Sequence, residues 1–359
     1  KGMLFYLNKN YDEAISAWQH ADRKLDDLYT TSISRTAASF VINDSFSDYT
    51  GETHERILIP IFSALSFYSE NNLQNALVMV RRTYDLTKSL DDGSTNSKIL
   101  SKDIFTPYLS GMIYEAKGDY DNSIVEYRKA LENAELQNES AAQKEIIKTL
   151  GRLSEYKDRS DILLNIKRKD PKITWLDQKT YQKNAEVYIV YESGRSPVKK
   201  PTSIVIPVLD TIVRVSFPSY ETVPYSNHYC DIFLDDSNVG QTVLMTNVGK
   251  MATAALENRR LKDTIKMTAR LTAKVIAARK LAKENPWAGL AANIFNIATE
   301  TADTRSWTSL PDTIQIARLL VKANKEEIIQ IKPESAPAFS FKVNLKPGEK
   351  FLYRFRTYN

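Results

Sequence analysis

The sequence predicts an α+β protein, with an all-α front half followed by a β-rich back half. Three observations carry that expectation. Apolar residues recur at the 3.6-residue helical spacing up to about Leu164. From Glu186 the pattern changes to the two-residue alternation of strands, rich in β-branched and aromatic side chains. The β-rich half is itself interrupted by a long, basic helical stretch starting at Val248. A chain of 359 residues has room for two domains, placed at 1–180 and 181–359, with the helical insertion at about 245–302.

The front half repeats itself. Gly2, Phe5, Tyr11, Ala14, Trp18 and Ala21 form one set of small and large positions. A second set reads Ala64, Phe67, Asn71, Leu73, Ala76, Val80, and a third Gly111, Tyr114, Gly118, Tyr120, Ser123, Tyr127, Ala130. Small residues allow two helices to cross closely, and the large ones fill the groove between them. Lys9, Asn71 and Gly118 sit where a short turn joins antiparallel helices. This is the pattern of a tetratricopeptide-like helical repeat. The copies are 62 residues (Ala14 to Ala76) and 47 residues (Ala76 to Ser123) apart, against ~34 in a regular array, so extra helices or loops such as Ser32–Asn43 are expected between them. Repeat grooves hold peptides or partner helices, and Tyr6, Tyr68 and Tyr108 are candidate groove residues. Helical patterning ends near Arg168-Lys-Asp-Pro171, which places the boundary between Lys167 and Lys183.

Strands are then expected at Glu186–Glu192, Ser203–Val208, Thr211–Phe217 and His228–Leu234. The helical insertion follows as Val248–Lys283 and Trp287–Thr301, broken at Asn285-Pro286. Strand texture returns at Thr313–Val321 and Glu326–Ile331. Ala338–Leu345 and Lys350–Tyr358 alternate around Lys346-Pro347-Gly348-Glu349 and read as a hairpin. The back half is thus a sandwich-like domain of about eight strands.

Charge is concentrated in one place. From Lys250 to Lys283 there are ten basic residues and two acidic ones, a segment charge of +8 in a chain whose net charge is +5. The most common cause of such a pattern is a solvated helix face; the alternative makes Arg259, Arg260, Lys266 and Lys274 candidates for contact with an acidic partner or an anionic surface. The segment has no aromatic residue, so nucleic acid, which is commonly bound by interleaved aromatics, is not the expected partner. No apolar run reaches the ~18–20 residues that span a bilayer.

A search for catalytic constellations returns little. Glycine-rich phosphate loops and nucleophile elbows are missing, and no cofactor or metal is expected. Glu52-Thr-His54-Glu55 lacks the second histidine of a zinc-protease helix, because Leu58 and Ile59 follow. His20 and His54 are isolated. His228-Tyr-Cys230-Asp231 would set an imidazole and the single thiol on one face of a strand. Cys230 or Asp303 is therefore where a hydrolase or cell-wall-active enzyme would be sought. The favoured expectation is a non-enzymatic interaction protein. Ala302-Asp-Thr-Arg-Ser-Trp-Thr-Ser-Leu-Pro311 is dense in side chains that bond one another. It reads as a structural corner, or as a docking loop with Arg305 and Trp307, residue types common at hot spots.

Two segments carry a resemblance. Val190-Tyr-Glu-Ser-Gly-Arg-Ser-Pro-Val-Lys199, followed by Ile206-Pro-Val208 and Phe217-Pro-Ser-Tyr220, is one. Residues 302–311 with Ile314-Gln-Ile-Ala-Arg318 are the other. Together with the irregular helical repeats they resemble a poorly characterised family of Gram-negative, tetratricopeptide-containing cell-envelope lipoproteins. The resemblance implies a lipid anchor upstream of Lys1, a place on the periplasmic face of the outer membrane, and protein partners in an envelope assembly. One such assembly would be the outer-membrane complex of a type IV secretion system. It implies no catalytic residues.

Overall fold

The computed structural model describes residues 1–34, 48–90, 92–208, 211–284 and 302–358. The expected helix Trp287–Thr301 and most of Ser32–Asn43 lie outside these. The protein is α+β, and among the described residues ten helices precede the first strand: α1 (Gly2–Leu7), α2 (Tyr11–Ser34), α3 (Thr53–Ser69), α4 (Leu73–Lys88), α5 (Thr95–Ser101), α6 (Phe105–Ala116), α7 (Tyr120–Leu136), α8 (Ser140–Tyr156), α9 (Ser160–Lys169) and α10 (Gln178–Lys183).

The repeat positions do what their chemistry suggests. Lys9, Asn71 and Gly118 all have positive φ, at 62°, 55° and 75°, and each turns one helix back on the next. Asn72 and Asp119 then cap α4 and α7 by accepting hydrogen bonds from the amides of Asn75 and Asn122. A Cβ on Gly2 would meet the Trp18 ring at 2.6 Å, and one on Gly111 the Tyr127 ring at 2.7 Å. The glycines therefore set how closely α1 approaches α2 and α6 approaches α7. Gly151 plays the same part against Trp175, at 2.6 Å, a close approach not anticipated from the sequence.

The strands are β1 (Ala185–Ser193), β2 (Val198–Val208), β3 (Thr211–Glu221), β4 (Cys230–Leu234), β5 (Ser237–Gln241), β6 (Val243–Asn247), β7 (Thr313–Val321), β8 (Glu327–Pro333), β9 (Phe339–Val343) and β10 (Lys350–Thr357). A first sheet has the order β10-β1-β7-β6 and a second the order β5-β4-β8-β9, while β2 and β3 form a separate ribbon. β5, exposed throughout with Val239 as its one large apolar residue, offers no alternation to read.

The first sheet is the middle layer of three. Tyr188, Val190, Ile314, Ile316 and Leu352 face the helices and share their core. Val187, Ile189, Tyr191, Leu319 and Val321 face the other way and pack on Cys230, Ile232, Ile329 and Ile331 of the second sheet. All nine residues of β1 are consequently buried, which explains its nearly unbroken apolar run.

The expected hairpin at 338–358 is not formed. β9 pairs with β8 in the second sheet, whereas β10 pairs with β1, in parallel, in the first. Lys346-Pro347-Gly348-Glu349 carries the chain across the sandwich, with Gly348 at φ 75°. The alternating aromatics meet face to face between sheets: Phe341 and Tyr353 stack at 4.0 Å and 13°. Alternation records which faces are apolar, and it does not distinguish a neighbour in the same sheet from one opposite.

Between β6 and β7 lies α11 (Val248–Glu284). Val248, Met251, Ala254 and Ala255 in its first turns belong to the core under the helices. Past Leu256, Val275 alone is buried among the residues whose side chains are described, and it packs on Val215 of β3. The last 28 residues of α11, about 40 Å at 1.5 Å per residue, thus leave the body with the β2–β3 ribbon as an arm.

Candidate functional site

The helical groove is filled from within. Tyr6, Tyr68 and Tyr108 are buried, which corrects the expectation that they line an open groove. The protein's own first sheet takes the place a partner would have. The Tyr6 hydroxyl donates to Glu192 of β1 at 2.8 Å, and the Arg354 guanidinium of β10 lies 3.4 Å from the Tyr6 ring centre. Tyr68 meets Tyr188 of β1 edge to face at 6.5 Å. Tyr108 packs against Tyr127 at 5.2 Å.

The joint between helices and sheet is ionic. Glu115 at the end of α6 accepts from Arg152 of α8 at 2.7 Å, from Arg318 of β7 at 2.7 and 2.8 Å, and from Lys350 of β10 at 2.9 Å. Glu186 of β1 accepts from Arg318 at 2.5 Å and also from Lys350. Burial alone would raise the Glu115 carboxyl, but Arg152, Arg318 and Lys350 outweigh it and hold it well below the usual carboxylate range. Glu186 is lowered by the same contest, with Arg318 and Lys350 prevailing over burial. Arg152 also stacks over Tyr181 at 3.9 Å. The arrangement is a lock between layers, since each charged head already has protein partners. Glu115 sits in the repeat segment Tyr114-Glu-Ala-Lys and reads in sequence as a surface residue. The one visible signal is Arg318, a lone charge inside the apolar run Thr313–Val321.

The two loop segments that stood out in the sequence meet at one end of the molecule. The Ser196 amide donates to the Leu310 carbonyl, and the Asp312 amide to the Ser193 carbonyl, both at 2.9 Å. Trp307 donates through its backbone to Glu55 at 2.6 Å and through its indole to Ser309 at 2.7 Å. Its ring packs on Trp18 at 5.2 Å and Phe62 at 6.0 Å. Asp303 accepts from the Arg305 guanidinium at 2.9 and 2.7 Å. Burial would raise the Asp303 carboxyl, and the Arg305 bonds bring it below its ordinary value. Trp307 is half-buried and ties the loop to α2 and α3, so the corner role is the one its contacts describe. Arg305 lies over Tyr49 at 5.2 Å.

At the root of the arm, buried Glu52 pairs with Lys199 of β2 and, at 3.0 Å, with Arg259 of α11. Arg259 also reaches Asp263 at 3.2 Å, so it serves the root of the arm. Beside them His54 is buried against Tyr220 of β3, with ring centres 6.0 Å apart. Burial, together with Lys199 and Arg259, lowers its pKa to about 3. Arg260 is exposed and pairs with Glu257 at 3.1 Å. Lys266 and Lys274 belong to α11, but their side chains are not among those described.

Cys230 does not meet the requirements of a nucleophile. Its side chain is buried between the sheets, and burial pushes its thiol up to about 12. His228 precedes β4 and packs on Tyr225 at 4.9 Å. Among the described residues, no group of three His, Cys, Asp or Glu is placed to hold a metal, and no helix is long and apolar enough to cross a membrane.

No family model matches the sequence, and no curated protein matches it. Among solved structures, the Rap conjugation gene regulator of the plasmid pLS20 in complex with the Phr* peptide is similar at 17% identity and a TM-score of 0.31. The match covers 48% of this chain and 40% of that one. A likeness that distant transfers neither fold nor function.

Proposed function

We propose that this protein is a non-enzymatic interaction subunit of the Gram-negative cell envelope, and that it docks through the arm formed by β2, β3 and the distal part of α11. The observation that carries this reading is the exchange of roles between two surfaces. The groove of the tetratricopeptide-like helices, the usual binding surface of such repeats, is closed by the first sheet. The arm leaves the body instead, and exposes Ile204 and Val205 on an open-edged ribbon. Its root is fastened by Glu52, Lys199 and Arg259, as a rigidly presented element requires. The resemblance carried by residues 190–199 and 302–311 supports the envelope, an upstream lipid anchor and the periplasmic face of the outer membrane. A place in an outer-membrane secretion assembly follows the same line.

Photo-cross-linking in intact cells tests the reading. A photoreactive residue at Ile204 or Val205 is expected to capture a discrete protein, while one at exposed Leu164 on the helical layer captures none. Capture from Leu164 alone would overturn it. The full-length gene product is also expected to incorporate labelled palmitate and to fractionate with the outer membrane.

A further inference from the structure

We infer that the outer stripe of α11 lies on an anionic bilayer surface. The inference deepens the reading of the arm as the docking element and rests on it, naming one of the things the arm meets.

At 100° per residue, Ile265, Ala269, Thr272, Ile276, Lys280 and Lys283 fall on one side of α11. Ile265 is 60% exposed and Ile276 56%. Ala269, Lys280 and Lys283 are exposed and Thr272 is half-buried. The ribbon does not cover this stripe, because Val275, on a different face, is the residue that packs on Val215. Two large aliphatic side chains three turns apart are therefore held in water by a helix that had core available at its other end.

The polar groups along the stripe are muted. Thr272, on the stripe, donates its side-chain hydroxyl to the Thr268 carbonyl at 2.8 Å, and Thr264 and Thr268, toward the Val275 face, donate in the same way at 2.7 and 2.8 Å, so much of their hydrogen-bonding capacity is used within the helix. The charges are of one sign. From Thr264 to Lys283 the sequence holds six basic residues and no acidic one. The two acids of the basic segment, Glu257 and Asp263, lie before that stretch and pair with Arg260 and Arg259.

Apolar side chains in line with lysines, on a helical stretch (264–283) without acids, are what an interfacial helix needs. The isoleucines enter the headgroup boundary and the cations meet lipid phosphates. Each lysine or arginine near such a surface strengthens binding about fivefold. A nucleic acid would use the cations but leave the isoleucines in water.

The test is flotation of the purified full chain with vesicles of phosphatidylcholine, alone or mixed with phosphatidylglycerol. The chain is expected to float with the mixed vesicles, to float weakly with phosphatidylcholine alone, and to be released as salt rises. Lys280→Glu with Lys283→Glu should weaken binding at least about 25-fold, two fivefold factors. Ile265→Ser with Ile276→Ser should also weaken it while preserving the salt dependence. All four positions are exposed, so circular dichroism should be unchanged. Equal flotation with both vesicle types, wild-type flotation by either double variant, or binding to duplex DNA without flotation would overturn the inference. Cross-links from Val205 that survive such a result would leave the protein-docking reading standing, and their loss with flotation intact would remove that reading alone.

Discussion

Arg318 and Glu115 form the bond that joins the helical layer to the sheet: one guanidinium nitrogen of the β7 residue lies 2.7 and 2.8 Å from the two carboxylate oxygens of the α6 residue. Both side chains are almost fully buried. A buried ion pair adds little over an apolar pair, but breaking one leaves a charge unpaired, at about 3–5 kcal/mol. Arg318→Met is therefore expected to lower unfolding stability by about that amount, measured by urea titration. Glu115→Gln and Arg318→Met together should cost less than the sum of the single changes, because either change alone already removes the bond they share, while Arg152 and Lys350 still hold Glu115 in Arg318→Met. A double variant less stable than the sum of the single effects would contradict the lock.

Acid should open the same joint. The folded-state pKa values of Glu115 and Glu186 are depressed. Their stabilisation is present above the ordinary carboxylate range, about pH 4.3, and is lost as pH falls through the lower folded values. His54 acts in an earlier window. Its folded value is about 3, so between about pH 6.5 and 3 the unfolded chain binds the extra proton and stability falls as pH falls. The slope is about 1.4 kcal/mol per pH unit at most. His54→Gln should flatten the difference curve between pH 6 and 4.5, where Glu115 and Glu186 are still ionised. Parallel curves for the variant and the parent would contradict a neutral, buried His54.

The glycine crossings are testable one at a time. Gly111→Ala places a methyl 2.7 Å from the Tyr127 ring. That ring is buried and donates its hydroxyl to Glu115 at 3.0 Å, so it has little room to retreat. Overpacking of this kind costs about 1–3 kcal/mol. Gly118→Ala meets nothing within 4 Å but must adopt φ 75°, so its cost is one of backbone strain, about 1 kcal/mol. Adding Tyr127→Leu should relieve Gly111→Ala and leave Gly118→Ala unrelieved.

Much of the scaffold was legible because local chemistry and tertiary role coincide. Lys9, Asn71 and Gly118 mark turns by their conformational needs, and β1 announces double burial by its apolar run. Other features were hidden because the sequence does not say which faces meet. Phe341 and Tyr353 alternate as a hairpin would and stack between sheets instead. Pro201 and Pro218 obscured the near ends of β2 and β3, yet they sit opposite each other in a ribbon whose outer edges pair with no other strand among the described residues. The candidate site was the least legible. A tyrosine at a groove position reads the same whether a partner or the chain's own sheet fills the groove, and Glu115 reads as surface until Arg318 arrives from 203 residues away.

Cys230 gives the sharpest test of the enzymatic alternative. Its thiol is buried with Ile232, Ile329 and Ile331, and burial pushes its pKa up to about 12. At pH 7.5 the thiolate fraction is then of order 10⁻⁴ to 10⁻⁵, against roughly a tenth for a free thiol of pKa about 8.5. Maleimide labelling of the folded protein should be slow and should accelerate along the urea unfolding curve, because the reagent reaches the thiol only when the sandwich opens. Cys230→Ala removes little volume, and the Tyr191 hydroxyl that meets the thiol keeps its bonds to the Asn227 carbonyl and Thr357, so the change should leave cross-linking from Val205 intact at a stability cost of about 1 kcal/mol. Rapid labelling without denaturant, at a rate rising with a midpoint near neutral pH, would mean an accessible and activated thiolate. It would reopen the hydrolase reading at Cys230.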